Sequence, residues 1–375
     1  MNLLLSDNKL HLRFAPLTLT RPLAELRCGI YTNTERWKLL FPEATIGFET
    51  EQYLQKKFPS NQGIWINAQC IANEQLAEAI ASLDSNQSLY LNELCIAFKG
   101  DGRLQVQHQD SSLIILENRW DLYLKNDQIL EQDFKMATLG RKSSVLEQNN
   151  LLIGSPKGLF IEEGAKIKGA TLNTETGPIY IGKNVEIMEG SLLRGPLAIL
   201  DGAVIKMGAK VYGATTIGPQ CRIGGELSNC LFQGFSNKGH DGFLGNALIG
   251  EWCNLGANTS CSNLKNNYGK IKTYNYELGQ MQLTSEQFMG LSMGDFSKSA
   301  IHVPFNTASV VGVSANIFCS GFPNKYVPSF QWLSDDGMMP YNLSKSLQAA
   351  SAMLARRNRA LDQLDKEILE YLSNN

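Results

Sequence analysis

The sequence predicts two architectures in one chain, an α/β domain followed by a parallel β-helix of hexapeptide repeats that ends in a C-terminal helix. The first observation is a period. An aliphatic residue recurs every six positions at Ile181, Ile187, Leu193, Ile199, Ile205, Val211, Ile217 and Ile223, and the frame resumes at Phe243, Ile249 and Leu255. A helix face recurs every 3.6 residues and a strand face every two, so neither explains it. A period of six is the signature of short strands that each point one aliphatic side chain inward and stack on the coil below, with three hexads to a coil. The second observation is where glycines stand: Gly182, Gly218, Gly224, Gly250 and Gly256 directly follow ladder positions, and Gly190, Gly202 and Gly208 sit where a short strand must turn. The third is that residues 1–135 lack this rhythm and instead carry alternating apolar clusters and the helical stretch around Trp120–Phe134.

In chain order, residues 1–135 read as a small α/β domain, 136–156 as a connection, 157–325 as the β-helix and 326–375 as a helical extension. Phe305, Val311 and Ile317 mark one more partial coil. Leu347, Leu354, Leu361 and Ile368, seven apart with charges between them, predict an amphipathic helix that caps the open end or packs on a neighbour. Two stretches, 226–242 and 263–290, interrupt the ladder. Departures from a rigid scaffold are where function concentrates.

Composition excludes several classes. With 375 residues, 34 Lys+Arg against 36 Asp+Glu and a net charge of −2, the chain is no basic nucleic-acid binder. No apolar run approaches the roughly 18 residues of a membrane span, and the start lacks the basic and long apolar regions of a secretory signal, so a cytoplasmic protein is expected. Eight cysteines without a Cys-x-x-Cys pair read as reduced and structural. Only His240 and His302 fall within the coils, too few for a three-histidine zinc site, and no metal is expected.

His240 lies in the irregular segment Asn237–Gly245, where small neighbours leave its imidazole accessible. Among the cations of the coils, Arg194 and Lys210 each adjoin a ladder residue and are held at a defined height, which suits a phosphate. Lys206, Arg222 and Lys238 read as ordinary outward charges.

Two N-terminal segments, Pro16-Leu17-Thr18-Leu19-Thr20-Arg21-Pro22 and Trp120-Asp121-Leu122-Tyr123-Leu124-Lys125-Asn126, resemble segments of sugar nucleotidyltransferases. That resemblance implies a shortened nucleotidyltransferase-like domain with Arg21 as its nucleotide-binding residue. The family's Gly-rich triphosphate loop has no counterpart, since the first glycine is Gly29. Nucleotidyl transfer is therefore expected to be weak or absent, and magnesium is required only if it occurs.

The segment Lys238–Asn263 resembles the acetyltransferase domain of the bifunctional GlmU-like family, with its Gly-His pair and following asparagines at matching spacings. The resemblance implies a left-handed β-helix, a homotrimer and an N-acetyltransferase that uses acetyl-CoA as co-substrate on an amino-sugar phosphate or nucleotide sugar. It makes His240 the general base, for which an imidazole suits, and gives Asn254 and Asn263 the task of orienting sugar or thioester. Ala257, Asn254 and Gly312 would line the acetyl-CoA, and Glu226, fourteen residues before His240, would orient the imidazole or bind sugar. Two departures bear on the sugar side. Ser228 stands where the family has a lysine, and an insertion follows Asn263, leaving either Leu264 or Tyr268 at the family's tyrosine position. The alternatives are a sugar-1-phosphate nucleotidyltransferase acting through the N-terminal domain and a non-catalytic nucleotide-sugar-binding assembly protein.

Overall fold

The computed structural model describes residues 1–110 and 112–375. The N-terminal domain is a six-stranded mixed sheet in the order Thr45–Glu49, Asn2–Ser6, Ile64–Asn67, Leu94–Phe98, Gln87–Leu91, Leu104–Gln107. Its first three strands are parallel and its fourth turns antiparallel. Helices α1 (Asn33–Leu40), α2 (Glu74–Ala81), α3 (Asp121–Leu124) and α4 (Asn126–Thr138) accompany it. α1 starts at a capping box in which the Thr32 side chain accepts from the Glu35 amide and Glu35 reaches back. Inside the domain, Arg36 of α1 and Asp133 of α4 form an ion pair at 2.6 Å with both side chains fully buried. Asp133 also accepts the Ile30 amide at 2.8 Å, which supplies the extra hydrogen bonds a buried pair needs.

The chain then winds into a parallel solenoid with three faces of short strands. The first face runs from Leu151–Ile153 to Pro304–Phe305, the second from Leu159–Ile161 to Tyr326–Val327, and the third from Lys166–Ile167 to Gln331–Ser334, where the hairpin strand Gly337–Pro340 closes it. The registers confirm the hexad reading: Ile181 lies against Ile199 and Ile199 against Ile217, and Ile187 against Ile205 and Ile205 against Ile223. These residues are fully buried in one continuous ladder, each contributing about 1.5–3 kcal/mol by leaving water.

Three differences from the sequence reading, and one agreement with it, have physical causes. The solenoid begins at Leu151, inside the expected connection, and α4 continues to Thr138, because the first coil lacks a regular hexad yet still pairs with the second. The stretch 226–242 does not break the ladder: Leu227, Phe232 and Lys238 take the inward positions opposite Val211, Ile217 and Ile223. Its coil is shorter than eighteen residues, so the sequence period slips while the stacking does not. The stretch after Asn263 is a true excursion, carrying an antiparallel hairpin of Lys272–Asn275 and Gln280–Leu283. The C-terminal extension starts with solenoid strands and then forms two helices, α5 (Leu343–Ala355) and α6 (Gln363–Asn374). It does not cap the open end. The chain bends at Asn358, whose φ is 54°, and α6 restarts where the Asp362 side chain accepts the Asp365 amide at 2.7 Å.

These helices lie along the corner between the second and third faces, where Trp252, Phe296 and Phe330 present rings to Ala350, Leu354, Leu361 and Leu369. α6 also reaches the N-terminal domain through stacked Tyr53 and Tyr371, 4.2 Å between centroids, and the Lys57–Asp365 ion pair. The N-terminal domain in turn covers the second face: Leu231 and Leu248 of the solenoid belong to its core. Gln233 brackets the Arg27 peptide, accepting from its amide at 2.6 Å and donating to its carbonyl at 3.0 Å. Arg21 crosses the same seam to Glu251 at 2.9 Å and to Asp295. Replacing Arg21 with Met leaves those two carboxylates facing each other without their cation, and is expected to cost about 3 kcal/mol of stability. Urea unfolding of the purified variant measures this; a loss below about 0.5 kcal/mol would show that the seam does not depend on the pair.

Candidate functional site

His240 stands on the corner that joins strand Asn237–Lys238 of the third face to strand Phe243–Gly245 of the first. Its side chain is exposed and lines a groove of about 690 Å³ together with Asn254 and Ala257. Asn254 enters because it lies directly above Asn237 on the outward side of the third face, with Arg222 one rung below and Lys298 one rung above. Rungs are about 4.8 Å apart, so the four side chains form one outward column. Ala257 sits on the corner one coil above His240. Its carbonyl accepts the His302 amide at 2.7 Å, while its N–H donates to no protein group among the described residues. An amide left free beside an imidazole is an available oxyanion donor.

The opposite wall belongs to the end of α5, which brings Arg356 and Arg357 over the column. Arg357 donates to Asn237 Oδ1 at 3.3 Å, and Asn237 donates to Asn254 Oδ1 at 3.4 Å. With Lys206, Arg222 and Lys298 the groove gathers five cations, none of which pairs with a carboxylate among the described residues. Burial pushes the Arg357 guanidinium below its ordinary value, and Arg222 and Arg356 push it in the same direction. Burial likewise lowers the Lys298 ammonium. An uncompensated cluster of like charge is costly without an anion to share it.

The other sequence candidates lie elsewhere. Glu226 and Lys210 are neighbours on the first face: Tyr212 donates to Glu226 Oε1 at 2.7 Å, and Lys210 Nζ is 4.0 Å from Glu226 Oε2. No hydrogen bond joins Glu226 to His240 among the described residues, so within one chain Glu226 does not orient the imidazole. Arg194 is exposed on the same face, remote from the groove lining. Asn263 donates to Asn246 Oδ1 at 2.8 Å and braces the corner between first and second faces. Gly312 is a packing residue of the second face, where a Cβ would come within 2.3 Å of the Ser329 amide. Arg21 is committed to the carboxylates of Glu251 and Asp295 at the domain seam. Lys238, read as an outward charge, points into the solenoid and is fully buried. Lys298, Arg356 and Arg357 were not singled out. The adjacent arginines were visible as helix charges, but only the docking of α5 along this corner of the solenoid brings them to the groove.

Residues 3–142 match the sequence model of a sugar nucleotidyl transferase family. Over 241 residues the chain is 24% identical to the bifunctional protein GlmU of Trichormus variabilis, covering 60% of this chain and 51% of that protein. Over that stretch the chain is similar to GlmU. A 107-residue stretch is 31% identical to GlmU of Trichodesmium erythraeum, covering 28% of this chain and 21% of that protein. The chain thus spans about half the length of the curated GlmU relatives it matches over 241 residues. Among solved structures, the polySia-specific acetyltransferase NeuO aligns at 10% identity with a TM-score of 0.30, covering 54% of this chain and 93% of that one.

If the five cations await an anion, inorganic pyrophosphate is expected to raise the melting temperature of the parent at low ionic strength, with the gain fading as salt is added. Arg222→Gln and Arg357→Gln should each reduce the gain by half or more. Equal shifts in parent and both variants would place the anion elsewhere.

Proposed function

We propose that the chain is a sugar N-acetyltransferase that takes acetyl-CoA as donor and an amino-sugar phosphate or nucleotide sugar as acceptor. The observation that carries this reading is the groove itself: an exposed imidazole, a free backbone amide and five cations on its two facing walls, none paired with a carboxylate among the described residues. The cations fit the phosphates of both substrates. His240 takes the proton from the acceptor amine as that nitrogen attacks the thioester carbonyl, the Ala257 N–H faces the oxygen that gains charge, and Asn254 orients the reacting group. The tetrahedral adduct then collapses with breakage of the C–S bond, and the coenzyme A thiolate leaves as the thiol with the proton held by His240. Arg222, Lys298 and Arg357 hold phosphate at a fixed distance from His240, which converts binding into alignment.

Glu226, Lys210, Arg194 and Asn263 lie on or beside the first face, whose outward residues Leu192, Arg194, Lys210 and Tyr212 are exposed. In a homotrimer this face meets a neighbouring copy, and these residues then complete a groove that one chain leaves half built. No helix among the described residues is long and apolar enough to cross a membrane. A second reading, sugar-1-phosphate nucleotidyl transfer, is favoured by the family match over residues 3–142. Against it stands the turn after strand Asn2–Ser6, where the buried carboxylate of Asp7 accepts from the Leu23 amide at 2.8 Å, the Thr50 hydroxyl at 2.6 Å and His11 Nδ1 at 2.9 Å. A carboxylate at the mouth of the sheet repels a triphosphate, and no Gly-rich amide cradle offsets it.

Acetyl transfer from acetyl-CoA to a panel of UDP- and dTDP-amino sugars tests the main reading. His240→Ala should lower the rate by about 10²–10⁴ with an unchanged melting temperature, and His302→Ala should leave it intact. A His240→Ala protein that transfers at the parent rate removes the assignment. Sedimentation should give a trimer; a strict monomer at micromolar concentration sinks the shared-groove arrangement. Magnesium-dependent pyrophosphate release from a nucleoside triphosphate and a sugar 1-phosphate should be undetectable, and its appearance would promote the second reading.

A further inference from the structure

Lys238 occupies a place in the solenoid made for an aliphatic side chain. It lies directly above Ile223 on the third face, in the column that continues with Leu255, the small Ser299 and Ile317. Its side chain is fully buried. The four methylenes fill the ladder slot, and the ammonium ends beneath the corner that follows, where Nζ donates to the His240 carbonyl and, at 2.8 Å, to the Asp241 carbonyl. No carboxylate forms an ion pair with it among the described residues. A lysine buried this way is expensive for the fold, since the charge loses water and receives only two neutral acceptors. Burial accordingly pushes its ammonium down to about 8, and the field of Asp241 recovers only part of the loss.

We propose that Lys238 is the positioning residue for His240: its ammonium clamps the two successive carbonyls of the corner and fixes where the imidazole leaves the backbone beside Asn254 and Ala257. The ladder explains why a lysine can do this. Every other inward residue of the column is held on both sides by coils, so the stem is immobile and the charged end is delivered to one place. An aliphatic residue would fill the slot equally well and leave both carbonyls of the corner without a partner from below. Gly239 and Gly242 flank the His240–Asp241 pair, and among the described residues the other backbone bond to the pair is the Asn258 amide donating to the Asp241 carbonyl at 2.9 Å, while the Glu226 amide holds the Gly242 carbonyl at 3.1 Å. The catalytic consequence rests on the acyl-transfer reading; the positioning itself does not.

Two variants of the full chain, Lys238→Met and Lys238→Leu, test this. Each keeps the ladder filled and removes the donor. Both are expected to melt at or above the parent at pH 7, because a desolvated charge is removed. The imidazole signal of His240 in protein labelled at histidine Cε1 is identified by its loss in His240→Ala among only four histidines. It should be single and sharp in the parent and broadened or split in both variants, while the His302 signal stays unchanged. Where an amino-sugar acceptor supports turnover, kcat should fall at least tenfold at unchanged KM for acetyl-CoA. A His240 signal identical in parent and variants overturns the proposal. So does a melting temperature well below the parent in both variants, which would make Lys238 a residue of the fold alone. If His240→Ala transfers at the parent rate, the acyl-transfer reading fails, and the imidazole signal still decides the role of Lys238.

Discussion

The stacking of coils is the constraint on which the rest of this molecule depends. The stacked solenoid strands, two to four residues long, pair their backbones with the coil above and the coil below, so no coil is stable by itself and each must present its neighbours with the same three inward positions. The column Ile187, Ile205, Ile223, Lys238, Leu255 shows how strict this is. When the sequence loses a residue or two at a corner, the corner shortens and the inward positions stay in line. When it gains many, as between Asn263 and Leu291, the surplus leaves the stack as a hairpin and the chain returns to the register it left.

A rigid stack offers long outward columns, and these are what the other elements use. The second face is covered by the N-terminal domain, with Leu231 and Leu248 in the shared core and Gln233 bonded to both sides of the Arg27 peptide. Arg21, placed by a short 3-10 turn, joins that domain to Glu251 and Asp295 on successive coils. The resemblance to nucleotidyltransferases is real at the level of sequence, yet the arginine that carried it serves the seam between domains. α5 and α6 cover the next corner because rings at Trp252, Phe296 and Phe330 give them an apolar track.

The groove at His240 follows from both. The third face contributes a column of Arg222, Asn237, Asn254 and Lys298, and α5 lays two arginines against it. Chemistry and affinity are thereby divided: the corner supplies an imidazole and a free amide, and the walls supply charge. Lys238 links the two layers, since one side chain belongs to the apolar ladder along its stem and to the corner at its tip.

How much of this was legible in the sequence depended on whether the signal was local. The hexad period determined the parallel β-helix and its inward residues wherever the coils keep eighteen residues, because each coil repeats a local geometry. Past the short coil it misplaced one, since Leu244 and not Phe243 stacks on Leu227, and Asn254 and Ala257 were legible only through the resemblance of the segment around His240. The α/β character of the first 135 residues was legible because its signal, too, is local. What only the tertiary structure decided were matters of long-range placement. Arg21 and Glu251 are far apart in sequence, Arg357 reaches Asn237 only after the chain reverses, and Glu226 is turned to Tyr212 on a different face from His240. Lys238 is the sharpest case: its charge reads as a surface residue, and only the shortened coil, which shifts the period, turns it inward. Spacing along a chain specifies which face a residue shares with its near neighbours, while the partner that an outward or buried charge finds is set by the elements that fold back onto it.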